Sequence, residues 1–410
     1  MLSKKIKTNN GITLVALVIT IIILLILATI SIQSLTNTGL FKKANEAKEK
    51  TQNAAENQAK TINEYEDELN KYISGAVKEP FKGKTVIDAI QYADVLNKND
   101  NTELQDAYGN KIVVPAGFKI TNDATTVDKG IVIEDSTSAT TAGSQFVWIP
   151  VGKIYTDTAR TEANAKTIEL NRYTFDESGN PTAQGKNVIE TYYQELETSN
   201  KGNTVAKSIP NFKESVETNC GYYIGRYEAR TTTERNSKDD ELTQITEKGI
   251  NPVYNWVTQL QAASQAQSMY NSNKFTSDLI NSYAWDTAIT FIQRFTEQTN
   301  YANQNSLNIG SIAQTGTKND KQCNIYDMAS NIWEWTTETS IFSELPCVLR
   351  GGSYDYDGNY TSLRYGAKTV DNRHYGGFRP ILYVNVWKRT IIIHSKKFVK
   401  IFRNLYTFWN

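Results

Sequence analysis

Residues 12–32 form an unbroken run of twenty-one residues without a charge, preceded by Lys4, Lys5 and Lys7. A helix of that length reaches across the hydrocarbon core of a bilayer, so this end of the chain is committed to a membrane and cannot belong to a water-soluble core. Basic residues before the run hold the N-terminus in the cytoplasm and place everything from about Gln33 outside. A cleaved secretory signal has an apolar region of about 7 to 15 residues that ends in small residues, and this run is too long for that. The expectation is a single-pass cell-membrane protein with its C-terminal bulk extracellular.

The start of the run, GITLVAL at 11–17, resembles the N-terminal signature of type IV prepilins. The resemblance implies cleavage by a prepilin peptidase between Gly11 and Ile12. Those pilins carry a Glu at the fifth mature position, which pairs with the N-terminal amine of a neighbouring subunit. Ala16 stands there, so the match speaks for cleavage and against filament assembly. Residues 1–33 are read as the anchor. Residues 34–74 are a helical stalk, rich in Ala, Glu, Lys and Gln, with no Gly or Pro from Phe41 to Ser74. Ile62, Tyr65, Leu69 and Tyr72 keep a three-four spacing over two turns, too short to sustain a coiled coil.

From residue 75 to 144 the pattern changes to short strands and turns: KIVVP at 111–115, GFKI at 117–120 and GIVIE at 130–134, separated by Asn, Asp, Gly and Thr clusters. This reads as a small β-rich connecting module without Cys or His.

The rest carries a resemblance built from several motifs in order: QFVWIPVG at 145–152, GYYIGRYEA at 221–229, NPVYNW at 251–256 leading into a helix, a second helix around Trp285, DMASNIWEW at 327–335, RGGSY at 350–354 and GFRP at 377–380. Residues 145–383, roughly 240 of the 410, resemble the formylglycine-generating enzyme (sulfatase-modifying factor) family. The resemblance implies a C-type-lectin-like fold, an irregular α+β domain with a small twisted sheet and many loops. The fold class of the whole is therefore α+β: a transmembrane, pilin-like helix and helical stalk, a small β-rich module, then the lectin-like domain. The family's enzymes oxidise a sulfatase cysteine through two active-site cysteines that bind copper. By ungapped register those positions fall on Tyr356 and Thr361. A thiolate is both the soft ligand and the nucleophile, so no copper is expected here and the reading is of a non-enzyme.

The resemblance also implies a structural Ca²⁺ on the DMASNIWEW segment. Asp327 and Glu334 would supply side-chain oxygens, and Ser330 and Ile332 backbone carbonyls, hard donors of the kind Ca²⁺ selects. The competing reading is a hydrogen-bonded turn, with Trp333 and Trp335 filling the core.

Residues 354–376 occupy the surface where the family's enzymes bind substrate. Tyr354, Asp355, Tyr356, Asp357, Asn359, Tyr360, Thr361, Tyr365, Asn372, His374 and Tyr375 make it a candidate ligand-binding loop. Tyr, Asp, Asn and Ser give large amphipathic contacts at low entropic cost, as in antibody paratopes. The segment is similar to the variable region of lectin-fold proteins diversified by retroelements, which implies a diversified receptor or adhesin whose ligand is an external protein or glycan. Arg350 and Arg379 flank it and are read as structural donors to loop carbonyls.

The chain has two histidines, His374 and His394, so a three-histidine iron site cannot be built. Zinc-protease, phosphate-loop and Gly-x-Ser-x-Gly motifs are absent. Cys220, Cys323 and Cys347 are too few and too scattered for a disulfide framework. Residues 384–410 hold six basic residues and no acid, and since the whole chain is neutral the remainder carries −6. Interleaved Trp387, Phe398, Phe402, Tyr406 and Trp409 fit a membrane-surface segment or an extension without a role; nucleic acid is not an expected partner. Two alternatives stay open: a formylglycine-generating oxidase using other residues, and a minor pilin subunit.

Overall fold

The computed structural model describes residues 14–37, 46–54 apart from 47, 85–91, 99–136, 140–183, 192–195, 207–242, 252–305, 310–317, 319–355, 358 and 360–386. Gly11, Ile12, most of the stalk, Tyr356, Asp357, Asn359 and the tail from 387 lie outside the described residues. The chain divides into two compact units, Met1–Lys78 and Glu79–Asn410.

In the first unit α1 runs over Leu14–Asn37. Its large apolar side chains between Leu17 and Ile30 are 46–62% exposed, so it is hydrophobic all round, unlike the amphipathic helix of a globular surface. The hydroxyls of Thr20, Thr29 and Ser31 donate back to the carbonyls of Ala16, Leu25 and Leu27, each at 2.7 Å, which satisfies them without water. The side chains described in α1 cover residues 16–31, and among the described residues no helix is long and apolar enough to cross a membrane.

The second unit is mixed α and β, with a β-rich C-terminal part. Its main elements in chain order are α2 (Val86–Gln91), β1 (Phe118–Ile120), β2 (Val132–Asp135), β3 (Gln145–Pro150), β4 (Tyr193–Gln194), α3 (Ile209–Asn219) and β5 (Gly221–Gly225). They continue with α4 (Gln259–Met269), β6 (Phe275–Leu279), α5 (Ser282–Phe295), β7 (Trp333–Ser340), β8 (Cys347–Arg350), β9 (Tyr365–Ala367), β10 (Gly376–Phe378) and β11 (Pro380–Val384).

Local chemistry fixes the helix starts. Ser208 caps α3 by accepting from the Asn211 amide at 3.2 Å, and Asn281 caps α5 by accepting from Ala284 at 2.9 Å. At α4 a capping box forms: Thr258 accepts from the Gln261 amide at 3.3 Å, and the Gln261 side chain accepts from the Thr258 amide at 2.9 Å.

A six-stranded antiparallel sheet runs β6-β11-β5-β3-β2-β1. Every residue of β5 and β11 is buried. These strands are covered on both faces, which is why their sequences read as unbroken apolar runs rather than alternations. Phe118, Phe146, Tyr270 and Phe275 form one aromatic cluster in this core, with edge-on and tilted ring pairs at 5.5–6.2 Å. Because β1 and β2 come from residues 118–135 and β2 pairs directly with β3, a boundary at residue 144 runs through a hydrogen-bonded sheet. The expected strands of the connecting segment exist: that at Lys111–Val114 pairs with Thr102–Gln105 in a separate two-stranded sheet, whereas β1 and β2 lie at the edge of the sheet of the larger domain.

The second sheet is β4-β7-β8-β9, with β10 parallel against β7. Since β10 belongs to this sheet and β11 to the other, the chain changes sheets at the single intervening residue, Arg379.

Candidate ligand-binding cleft

The DMASNIWEW segment is a turn leading into β7. Asp327 and Asn331 have φ of 64° and 67°, the left-handed region that Asp and Asn enter more readily than other side chains. Asn331 ties three segments together. Its Nδ2 donates to Glu228 Oε2 at 2.5 Å, its Oδ1 accepts from the Ala313 amide at 2.9 Å, and its carbonyl accepts from the Tyr354 amide at 2.7 Å. The Trp333 amide in turn donates to the Tyr375 carbonyl at 2.8 Å. Both ends of the 354–375 loop are thus pinned to one turn through backbone bonds. Gly351 in RGGSY has φ 82°, and a Cβ there would sit 2.9 Å from the Met328 carbonyl, so the position admits no side chain without a shift.

Alternation along β7 then builds the site. Glu334 points one way, to Arg379, whose Nη2 donates to its Oε1 at 2.6 Å and Nε to its Oε2 at 3.0 Å. Trp333 and Trp335 point the other way. Each lines one of two adjoining clefts that share Tyr365 and Tyr375. The larger, about 550 Å³, is lined by Trp333, Tyr360, Leu363, Tyr365, Tyr375 and Asp355. The smaller, about 210 Å³, is lined by Trp335, Leu345 and Leu349 and by the charged Asp371 and Arg373. Trp333 stacks on Tyr365, centroids 5.1 Å apart at 27°.

Of the loop residues expected in a binding surface, Asp355, Tyr360, Tyr365 and Tyr375 meet in the larger cleft. Tyr354 and His374 join beside it through a 2.5 Å contact from the phenol to Nδ1, and His374 packs on Trp256 and Tyr375 with centroids at 5.6 and 5.1 Å. Asn372 is half-buried. Thr361 is different. It is fully buried, and its carbonyl takes the Trp285 indole N–H at 2.9 Å, so it braces the loop from inside and does not face a ligand. Trp333 and Leu363 were not among the expected site residues. The signal for Trp333 was present in the Trp-Glu-Trp alternation, which puts the two indoles on the face opposite the buried glutamate.

Beneath the loop lies a buried ion network. Arg364 donates through Nη2 to Asp286 Oδ2 at 2.6 Å and through Nε to Glu338 Oε1 at 2.8 Å. Arg350 donates to Asp286 Oδ1 at 2.5 Å and to the Leu363 and Ser362 carbonyls at 3.0 and 3.1 Å. Arg172 reaches Glu338 at 2.5 Å. Burial alone would raise the Glu338 carboxyl, but Arg364, Arg172 and Arg350 overcome it and bring it down to about 2. Arg350 bonds loop carbonyls, as expected, whereas Arg379 donates to the carbonyls of the strand residues Gly225 and Tyr326; each also neutralises a buried carboxylate.

Residues 132–382 match the sulfatase-modifying factor enzyme 1-like domain. The chain belongs to this family. Among solved structures it is similar to Treponema denticola variable protein 1, 13% identical with a TM-score of 0.32, over 64% of this chain and 98% of that one. It is also similar to the I1 and P3c variants of Major Tropism Determinant, 12% and 11% identical with TM-scores of 0.29, each over 74% of this chain and 99% of the other. No curated protein matches the chain.

The calcium set implied by the sulfatase-modifying factor family is only partly presented. Asp327 is buried, accepts from the Gly316 amide through Oδ2 at 2.7 Å, and has an Oδ1 without a hydrogen-bond partner. Burial, then the nearby Asp320 charge, pushes its carboxyl up to about 7. Glu334, the second side-chain donor, gives both oxygens to Arg379. With that carboxylate taken by a guanidinium, the four residues do not fit a calcium shell, and among the described residues no group of three or more His, Cys, Asp or Glu is placed to hold a metal. Of the two family cysteine positions, Tyr356 lies outside the described residues and Thr361 offers a buried hydroxyl. The three cysteines of the chain are free, and burial raises the Cys323 and Cys347 thiols to about 12, so neither supplies a thiolate at neutral pH.

Proposed function

We propose that this protein is a membrane-anchored bacterial surface protein whose sulfatase-modifying-factor-like domain binds an external protein or glycan and does not generate formylglycine, in the manner of a diversified receptor or adhesin. The observation that carries the reading is the larger cleft. Exposed tyrosines, Tyr360 and Tyr365 at 38% and 47%, stand over a packed indole floor on a loop fixed at both ends. Rigid aromatic contacts on a fixed frame bind without a large ordering cost. The absence of a Cys at Thr361 supports the non-catalytic part, and the uncharged run at 12–32 with the exposed apolar side chains between Leu17 and Ile30 supports the anchor.

The test uses the full-length chain in a neutral detergent on arrays of glycans and surface proteins, beside a Tyr360→Ala/Tyr365→Ala variant. Both side chains are exposed, so the variant keeps its fold, and it should lose about ten-fold or more of any specific binding, as aromatic anchors do. Copper-dependent oxidation of a cysteine-containing sulfatase peptide above a protein-free control would overturn the reading in favour of an oxidase.

A further inference from the structure

The chemistry of the larger cleft narrows the ligand further, and the inference rests on the binding function proposed above. Among the described residues its wall presents four aromatic rings, Trp333, Tyr360, Tyr365 and Tyr375, with Leu363 and one carboxylate, Asp355, and none of them is a Lys, Arg or His. Aromatic faces carry negative potential, and a cation within about 6 Å of several of them is held by each, more strongly as it loses water. Asp355 accepts a hydrogen bond from the neutral Ser353 hydroxyl. In the adjoining smaller cleft, by contrast, Asp371 faces Arg373 at 4.0 Å, so that carboxylate already has its counter-charge. The Asp355 carboxylate and the aromatic lining of the larger cleft therefore favour the same sign of ligand charge. A saccharide could stack on the same rings, but orienting its hydroxyls takes several convergent polar groups, and beyond the phenols the described residues of this wall offer Asp355.

From this geometry we infer that the cleft bounded by Trp333, Tyr360, Tyr365, Tyr375 and Asp355 is a cage for an organic ammonium group, carried by the external ligand as a quaternary headgroup or as a lysine side chain. The rings surround the alkyl shell of the cation and Asp355 balances its charge at the rim.

Isothermal titration calorimetry on the full-length protein in neutral detergent tests this with four probes: choline, its uncharged isostere 3,3-dimethylbutan-1-ol, lysine methyl ester and methyl galactoside. One of the two ammonium probes should bind about ten-fold more tightly than the isostere. Asp355→Asn should weaken that binding about five-fold and flatten its salt dependence, and Tyr365→Ala should abolish it. Preference for choline identifies a quaternary headgroup, and preference for the lysine ester a protein side chain. Equal binding of choline and its isostere, or an Asp355→Asn variant with unchanged affinity, overturns the cage and leaves an apolar cleft. Binding of the galactoside alone overturns it as well while leaving the receptor function standing, whereas loss of every array ligand is the failure of the receptor function itself.

Discussion

Glu195 shows how far the fold sets the charge state of single residues. It accepts from the Ser282 amide and hydroxyl at 2.8 and 2.6 Å and from the Thr337 hydroxyl, bonds that favour the carboxylate. Burial, then the charge of Glu338, outweighs them and raises the group to about 7. A carboxyl raised on folding binds its proton more tightly in the native state, so stability falls as pH climbs from about 4.5 to 7 and stays low above that. Asp278, raised to about 6 by burial, adds to the same slope. Glu338 has the opposite sign: held down at about 2, it contributes stability above pH 4.5 that is lost as pH falls towards 2. Glu195→Gln keeps the shape, and the Ser282 and Thr337 hydroxyls can turn to match the new amide. The variant should melt with the wild type near pH 4.5 and be more stable by about 1–3 kcal/mol at pH 8. A melting series from pH 4 to 8 reads this, and parallel curves for the two proteins would show that Glu195 is ionised at no cost.

At the scale of elements, β9 depends on what its N-terminal neighbour does. Arg364 lies between Tyr360 and Tyr365, which face the cleft, and turns inward to Asp286 of α5 and Glu338 of β7. The cleft wall is therefore held by a buried ion network as well as by the packing of Trp333, Leu363 and Tyr375. Removing one partner of such a network leaves uncompensated charge in a dry site, so Arg364→Ala should cost about 3–5 kcal/mol in chemical denaturation. A loss below about 1 kcal/mol would mean that water enters the network and screens it. The sequence made parts of this element plan legible. Short apolar runs bounded by turn residues marked β1 and β2, and ordered motifs marked the family, the segments that hold β3 and β5, and the aromatic loop. Arg364, Asp286 and Glu338 were not legible, because their pairing joins residues far apart in the chain and no local spacing announces it. Nor was the parallel pairing of β10 with β7, which brings the Tyr375 carbonyl to the Trp333 amide and closes the cleft. Thr361 was misplaced for a related reason: its neighbours are exposed and polar, and only the position of Trp285 shows that it turns inward.

For the whole molecule, the proposed function sets where the cleft acts through the anchor read at residues 12–32. At about 1.5 Å per residue the twenty-one-residue uncharged run at 12–32 would span about 32 Å as a helix, against a hydrocarbon core of roughly 30 Å. The hydroxyls of Thr20, Thr29 and Ser31 in α1 donate hydrogen bonds to carbonyls of the same helix, an arrangement compatible with the lipid setting of the proposed function. The C-terminal tail contributes six basic residues among aromatic ones, a composition suited to an anionic surface. Its attraction is electrostatic and screened by salt, whereas that of the apolar helix is not. The two can therefore be told apart in cells. The full chain should stay in the membrane pellet through alkaline carbonate and high salt, and deletion of residues 12–32 should release it to the soluble fraction. A deletion variant that leaves the pellet only in high salt would assign membrane attachment to the tail, and a full chain that leaves in carbonate would remove the anchor from the proposed function while leaving the cleft intact.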